Sequence, residues 1–194
     1  FLKGAKCRTG KCAIGVRQTA PGQHGRKINT KKTSEYGKQL QEKQKVKMVY
    51  GVREKQFRRF FQVSLKQQGV TGDNLLVNLE RRLDNVMFCL KMALSRTQSR
   101  QMIVHGHVFV NGKRVNSPSF LVNNGDVVTL SESSQNKKEF LENVVDRRIN
   151  IGIKVPAWLE LEKEARKGIV LRMPTRSDVT TPIEEHLIVE LYSK

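Results

Sequence analysis

The chain has 194 residues, 38% of them hydrophobic, and sets 36 Lys and Arg against 18 Asp and Glu for a net charge of +18. That length suits one or two cores, and two are expected; no stretch approaches the run of about eighteen apolar residues that spans a membrane, and the opening FLKGAKCRTG lacks the apolar stretch of a secretory signal. Residues 1–68 hold 18 basic and 3 acidic side chains (net +15), residues 69–131 hold 7 and 4 (net +3), and residues 132–194 hold 11 of each. Charge concentrated at one end implies a polyanionic partner held by salt-dependent phosphate contacts. A lipid surface fits less well, because the basic segment offers no long helix with an apolar face opposite its charges.

Residues 1–33 are rich in turn formers and poor in apolar periodicity, with Pro21-Gly22-Gln23-His24-Gly25 followed by Arg26, Lys27, Lys31 and Lys32. They read as a basic loop, either a solvated arm or a phosphate-holding segment that orders on its polyanionic partner. A first residue of Phe rather than Met predicts a leading segment outside this sequence. The three cysteines, Cys7, Cys12 and Cys89, argue against a disulfide framework and for a reducing compartment. Cys89 is expected in the core. Cys7 and Cys12 are two of the four ligands that tetrahedral zinc needs, so a zinc site requires further donors, His24 or a second cysteine pair in the leading segment; no other cofactor is expected.

Ser34 and Glu35 predict a helix start, Gly51 its end near Tyr50, and Lys38, Lys43, Lys45 and Lys47 coat the surface between them. A second helix, about 52–68, places Phe57, Phe60, Phe61 and Leu65 on one face and Arg53, Lys55, Arg58 and Arg59 elsewhere. Those rings are expected in the core rather than stacked on bases. Asp73 is expected to cap a third helix carrying Leu75, Leu76 and Leu79.

Residues 81–130 carry the densest pattern. Leu83, Val86, Met87, Leu90 and Leu94 recur at helical spacing and predict a core-facing helix to about Leu94. Ser95 and Gln98 form a capping-box pattern for the next helix, which Gly106 closes. The period then changes to two at Val108 and Val110, and Asn111-Gly112 predicts a type I′ hairpin turn before Lys113, Arg114 and Val115. A turn at Asn123-Asn124-Gly125-Asp126 leads into Val127 to Leu130, completing a small antiparallel sheet over the helix pair. Arg96 and Arg100, four apart, are expected to join His105, His107, Lys113 and Arg114 in one basic ledge. Arg on a solvated helix face is common, so the ledge alone does not distinguish a functional surface from an ordinary one.

Beyond the sheet, 137–149 predicts a helix with Phe140, Leu141, Val144 and Val145 on its apolar face. Trp158 to Glu162 and Ile169 to Met173 predict a hairpin that turns at Arg166-Lys167-Gly168. Pro182, Glu184 and Glu185 favour a terminal helix with Leu187, Ile188 and Leu191 on one face; a strand is the alternative. The expected class is therefore α+β: a basic, mainly helical unit at 1–80, a small helix-hairpin module with an antiparallel sheet at 81–131, and a helix and hairpin segment at 132–194 that packs on both.

The run SRTQSRQMIVHGHVFVNGKRV at 95–115 resembles the small RNA-binding module shared by ribosomal protein S-four, some pseudouridine synthases, tyrosyl-tRNA synthetases and a heat-shock RNA-binding protein. APGQHGRK at 20–27, SEYGKQLQEKQKVKMVYGVREKQFRRFF at 34–61, GVTGDNLLVNLERRLDNVMF at 69–88 and EEHLIVELYSK at 184–194 closely resemble the bacterial-type ribosomal protein S-four family. The resemblance covers nearly the whole chain. It departs between Gly25 and Tyr36, where INTKKT makes the basic link slightly longer than in some relatives.

The resemblance implies a non-enzymatic constituent of the small ribosomal subunit in the cytoplasm, which binds small-subunit rRNA early at a multi-helix junction of the 5′ domain. The rRNA contacts it implies fall among Gln23, His24, Lys38, Lys43, Lys45, Lys47, Arg53, Lys55, Arg58, Arg59, Arg81, Arg82, Arg96, Arg100, His105, His107, Lys113 and Arg114. It further implies Arg26, Lys27, Lys31 and Lys32 near the mRNA entry channel, and small-subunit proteins number three and number five as neighbours, the latter affecting decoding accuracy. An RNA-modifying enzyme built on the same module is the rival in another class. It finds Asp146, Asp178 and His186 in the last third but no nucleophile, phosphate loop or metal set. A stress-response RNA binder would not explain the helical unit.

Overall fold

The computed structural model describes residues 12–17, 19, 22–25, 33–136 and 154–193. The expected helix at 137–149, together with Cys7, Arg26, Lys27, Lys31 and Lys32, lies outside the described residues. A short helix, α1 (Ala13–Val16), precedes the two cores.

The first core is helical. In α2 (Glu35–Tyr50) the Ser34 hydroxyl accepts from the Gly37 amide at 3.2 Å, and Gly51 ends the helix at φ 63°, as the sequence predicts. Next comes α3 (Glu54–Leu65), shorter at both ends than 52–68, with Phe57 and Phe61 buried, Phe60 packed beside them and Leu65 left exposed. The following helix, α4, runs Thr71–Glu80; Asp73 sits in its first turn near the amide dipoles instead of capping it, because the helix begins three residues earlier than predicted, with Val70 at the N-cap. Leu75, Leu76 and Leu79 are fully buried against α2 and α3 residues.

The second core joins helices to a sheet. Helix α5 (Leu83–Cys89) ends about five residues before the predicted Leu94, because Lys91 adopts φ 62° and breaks the helical path. Leu90, Met92 and Ala93 still reach the core through that turn. Helix α6 (Arg96–Val104) starts at Ser95, whose hydroxyl accepts from the Gln98 amide at 3.2 Å, while the Gln98 side chain accepts from Leu94 rather than from Ser95. Strands β1 (Val108–Val110) and β2 (Lys113–Arg114) turn at Asn111 and Gly112, φ 50° and 74°, the positive pair a type I′ turn demands.

Strand β3 (Val127–Leu130) pairs with β1, and the late hairpin, β4 (Leu159–Glu162) and β5 (Lys167–Val170), joins the same sheet through β5. The order is β2-β1-β3-β5-β4, antiparallel throughout. Lys167 and Gly168 belong to β5 rather than to the turn, which instead uses Arg166 at φ 46°. Gly168 is required by packing: a Cβ there would come within 2.2 Å of the Leu90 side chain.

Met173 still packs on the second core, and from Val179 onward the chain returns to the helical core. Helix α8 (Glu185–Tyr192), which among the described residues is the next α-helix after a single turn α7 (Glu132–Gln135), packs on α2 and α4. Its buried face is Ile188, Val189 and Tyr192, one position round from the predicted Leu187, Ile188 and Leu191. Tyr192 stacks on Phe61 at 4.7 Å between centroids, and Glu185 lies so close to Gly72 that a Cβ there would meet it at 2.7 Å. The last third thus completes both cores, Trp158, Leu159 and Val170 in one and Val179, Ile183 and Ile188 in the other.

Candidate nucleic-acid interface

Burial of Phe57, Phe61 and Ser64 turns the opposite side of α3 outward. Lys55, Arg58, Arg59, Gln62 and Lys66 are exposed there at spacings of three and four, a continuous polar stripe with Arg53 at its head. Among the described residues, Arg53, Lys55, Arg58, Arg59 and Lys66 make no ion pair with a carboxylate. Cations left uncompensated on one face suit a phosphate backbone. Gln62 and Lys66 were missed in the sequence, although they continue the i, i+4, i+7 pattern from Lys55.

The α2 lysines differ. Lys38 pairs with Glu35 at 3.1 Å, Lys45 with Glu42 at 2.9 Å, and Lys43 and Lys47 reach the same Glu54 at 3.1 and 2.6 Å. Lys43 and Lys47 keep only 11% and 15% of their side chains exposed, so they serve the fold first. Burial raises the Glu54 pKa, but hydrogen bonds from Lys47, Tyr192 and Lys43 outweigh it and hold the carboxyl at about 2. This cluster fastens α8 to α2 and α3.

Two candidates turn out to be internal. Arg82 is fully buried and forms a two-pronged pair with Asp84, Nε to Oδ1 at 3.0 Å and Nη2 to Oδ2 at 2.5 Å, with Phe60 beneath its guanidinium at 5.5 Å. This corrects the expectation that it touches RNA; it has no surface to offer. Arg81 is half-buried and donates to the Val122 carbonyl at 3.0 Å and to Asn123 Oδ1 at 2.9 Å, tying α4 to the loop before β3. Burial lowers its pKa.

The expected ledge divides in two. Arg96 and Arg100 turn toward the helical core: Arg96 donates to Asn85 Oδ1 at 2.8 Å between the rings of Tyr50 and Phe88, and Arg100 reaches the Gly51 carbonyl at 3.3 Å and Asp84 at 4.0 Å. Arg100 nevertheless keeps 40% of its side chain exposed, beside the loop that leads to Arg53. At the far end of α6, His105, Lys113 and Arg114 are exposed. Arg114 lies across Gly106, where a Cβ would fall within 1.9 Å of the guanidinium, and donates weakly to the His105 carbonyl at 3.4 Å. His107 is half-buried with Nδ1 2.9 Å from the Ser134 hydroxyl, and its ring stands 6.1 Å from that of His105.

Gln23 and His24 are exposed in a turn closed by the Gly25 amide on the Gly22 carbonyl at 3.1 Å. Cys12 is half-buried at the head of α1, and Cys89 packs against the second core. Among the described residues, no three His, Cys, Asp or Glu side chains gather as metal ligands, and no helix is long and apolar enough to cross a membrane.

A helical unit with an exposed cationic stripe, packed beside a two-helix module whose hairpin presents a second basic patch, defines an α+β RNA-binding protein. Comparison with known proteins agrees and is more specific: residues 1–80 match the family model described as the ribosomal protein S4/S9 N-terminal domain, and residues 81–128 match the S4 domain. The chain is 51% identical over 194 residues to small ribosomal subunit protein uS4 of Halothermothrix orenii, spanning 100% of this chain and 91% of that protein. It is 54% identical over 197 residues to the uS4 protein of Citrifermentans bemidjiense, with the same coverage. The chain belongs to the uS4 family of small ribosomal subunit proteins, which are ribosome constituents and not enzymes.

Proposed function

We propose that this chain is a structural constituent of the small ribosomal subunit, in the cytoplasm, and binds small-subunit rRNA directly at a multi-helix junction of the 5′ domain. The observation that carries the reading is the α3 stripe, Lys55, Arg58, Arg59 and Lys66, exposed and without carboxylate partners among the described residues while the α2 lysines are neutralised within the fold. The hairpin patch at Lys113 and Arg114 supplies a second point of attachment. Lysine and arginine side chains on both surfaces suit phosphates, which carry no base identity, so shape and phosphate positions dominate recognition. Binding at a junction early in assembly would fix the RNA helices for later proteins.

Footprinting on small-subunit rRNA tests this. Protection focused on one 5′-domain junction is the expected result; uniform weak protection would overturn it.

Three finer roles rest on family resemblance. Arg26, Lys27, Lys31 and Lys32 would face mRNA near the entry channel, with small-subunit protein number three nearby. The near-neutral last third would supply part of the contact with small-subunit protein number five that affects decoding accuracy. Cys7 and Cys12 would bind zinc only with further donors, since tetrahedral zinc needs four ligands; zinc well below one equivalent per full-length chain retires that site.

A further inference from the structure

We infer that Arg96 is a positioning residue, which locks the angle between the two RNA-binding faces, and that this lock supplies selectivity for folded RNA junctions over plain duplex. The inference rests on the rRNA reading above and gives Arg96 a role other than phosphate contact. Its guanidinium carbon lies 5.2 Å from the Tyr50 ring centroid and 4.5 Å from that of Phe88, within cation–π range of both. Tyr50 belongs to α2, whose first core carries the α3 stripe, and Phe88 belongs to α5 of the module. The Arg96 Nε donates to Asn85 Oδ1 at 2.8 Å, and the Asn85 amide donates to Glu80 Oε2 at 2.6 Å. Glu80 also accepts from the Tyr50 hydroxyl at 2.5 Å. A closed circuit therefore runs from α2 through α4, α5 and α6 and back to α2, and Arg96 is its planar centre.

Neighbouring contacts brace the same seam. Arg100, one turn along α6, holds the Gly51 carbonyl just before α3, and buried Arg82 lies under Phe60 of α3. Two faces on a rigid frame meet two distant RNA backbones without an ordering cost, whereas faces on a loose hinge bind each backbone nearly independently. A plain duplex engages one face at a time and gains little from the lock. A junction engages both.

Lysine keeps the charge of Arg96 but loses the flat guanidinium that fits between two rings while donating sideways. Arg96→Lys, Arg96→Ala, wild type and a Lys113→Ala/Arg114→Ala control are compared by competition between a transcript of the 5′ domain of small-subunit rRNA and a perfect RNA duplex, across a salt series. Loss of the stacking and of one hydrogen bond lowers the transcript-over-duplex preference of Arg96→Lys about tenfold, with the salt slope on duplex unchanged. Phe88→Leu alters no charge and lowers the preference in the same direction, which keeps the test decisive should Arg96→Lys unfold on thermal denaturation. The hairpin control instead loses salt slope on both RNAs. A preference retained in Arg96→Lys and Phe88→Leu, or a salt slope that falls in Arg96→Ala and returns in Arg96→Lys, overturns the positioning role alone. A wild-type chain that does not prefer the transcript overturns the rRNA reading itself.

Discussion

The Tyr50 hydroxyl donates to the Glu80 carboxylate at 2.5 Å in the seam between the two cores, where both side chains are buried. Burial raises the pKa of each, and the carboxylate's proximity raises that of the phenol further. An acid whose folded-state pKa lies above its unfolded value adds stability below the unfolded pKa and loses it as pH rises through the folded one. Glu80→Gln keeps an acceptor for Tyr50 without the burden of ionising in the core. Its stability relative to wild type should therefore be higher at pH 7 than at pH 4, measured by urea denaturation at each pH. Equal differences at both pH values would show that Glu80 titrates as it does in the unfolded chain.

Arg82 and Asp84 form the opposite kind of buried pair, charged on both sides. Removing one partner leaves the other uncompensated in the core, so Arg82→Ala should cost about 3–5 kcal/mol. Its salt slope for RNA should match wild type once the protein is folded, since Arg82 has no exposed surface. A reduced slope in folded Arg82→Ala would restore it to the interface.

The α3 stripe gives a different signature. Lys55→Ala with Arg59→Ala should leave the melting temperature nearly unchanged and reduce the slope of log K against log salt by about 2 in magnitude, near one for each phosphate that is no longer neutralised. Lys43→Ala with Lys47→Ala should do the reverse, destabilising the fold through Glu54 while changing the slope less.

Much of this arrangement was legible in the sequence because the signals are local. Ser34 and Gly51 bound α2, Ser95 opens α6, and Asn111-Gly112 turns the hairpin, since caps and positive-φ turns depend on a few adjacent residues. What depends on distant residues was not legible. Lys91 breaks α5 early where periodicity continued to Leu94, and nothing near Trp158 indicates that its hairpin extends a sheet begun at Val108. The basic candidates divided for the same reason. Arg82, Arg96 and the α2 lysines resemble the α3 cations in composition, and only their partners, Asp84, Tyr50, Phe88 and Glu54, reveal which are occupied.

The closing helix shows how small the difference between two readings can be. Leu187 and Ile188 are adjacent, yet Ile188 is fully buried and Leu187 is not part of the core cluster. Ile188→Ala should cost about 2–5 kcal/mol as a cavity in the helical core, and Leu187→Ala should cost far less. The same helix carries Tyr192, whose hydroxyl donates to Glu54 at 2.7 Å. Because the folded Glu54 pKa is about 2 against an ordinary 4.5, its contribution is fully present above 4.5 and disappears as pH falls toward 2. Glu54→Gln should therefore flatten the loss of stability over that acid range, followed by thermal unfolding from pH 5 to pH 2. An acid profile as steep as that of wild type would place the acid-sensitive group elsewhere, with Asp178, held at about 2 by Arg172, the next to test.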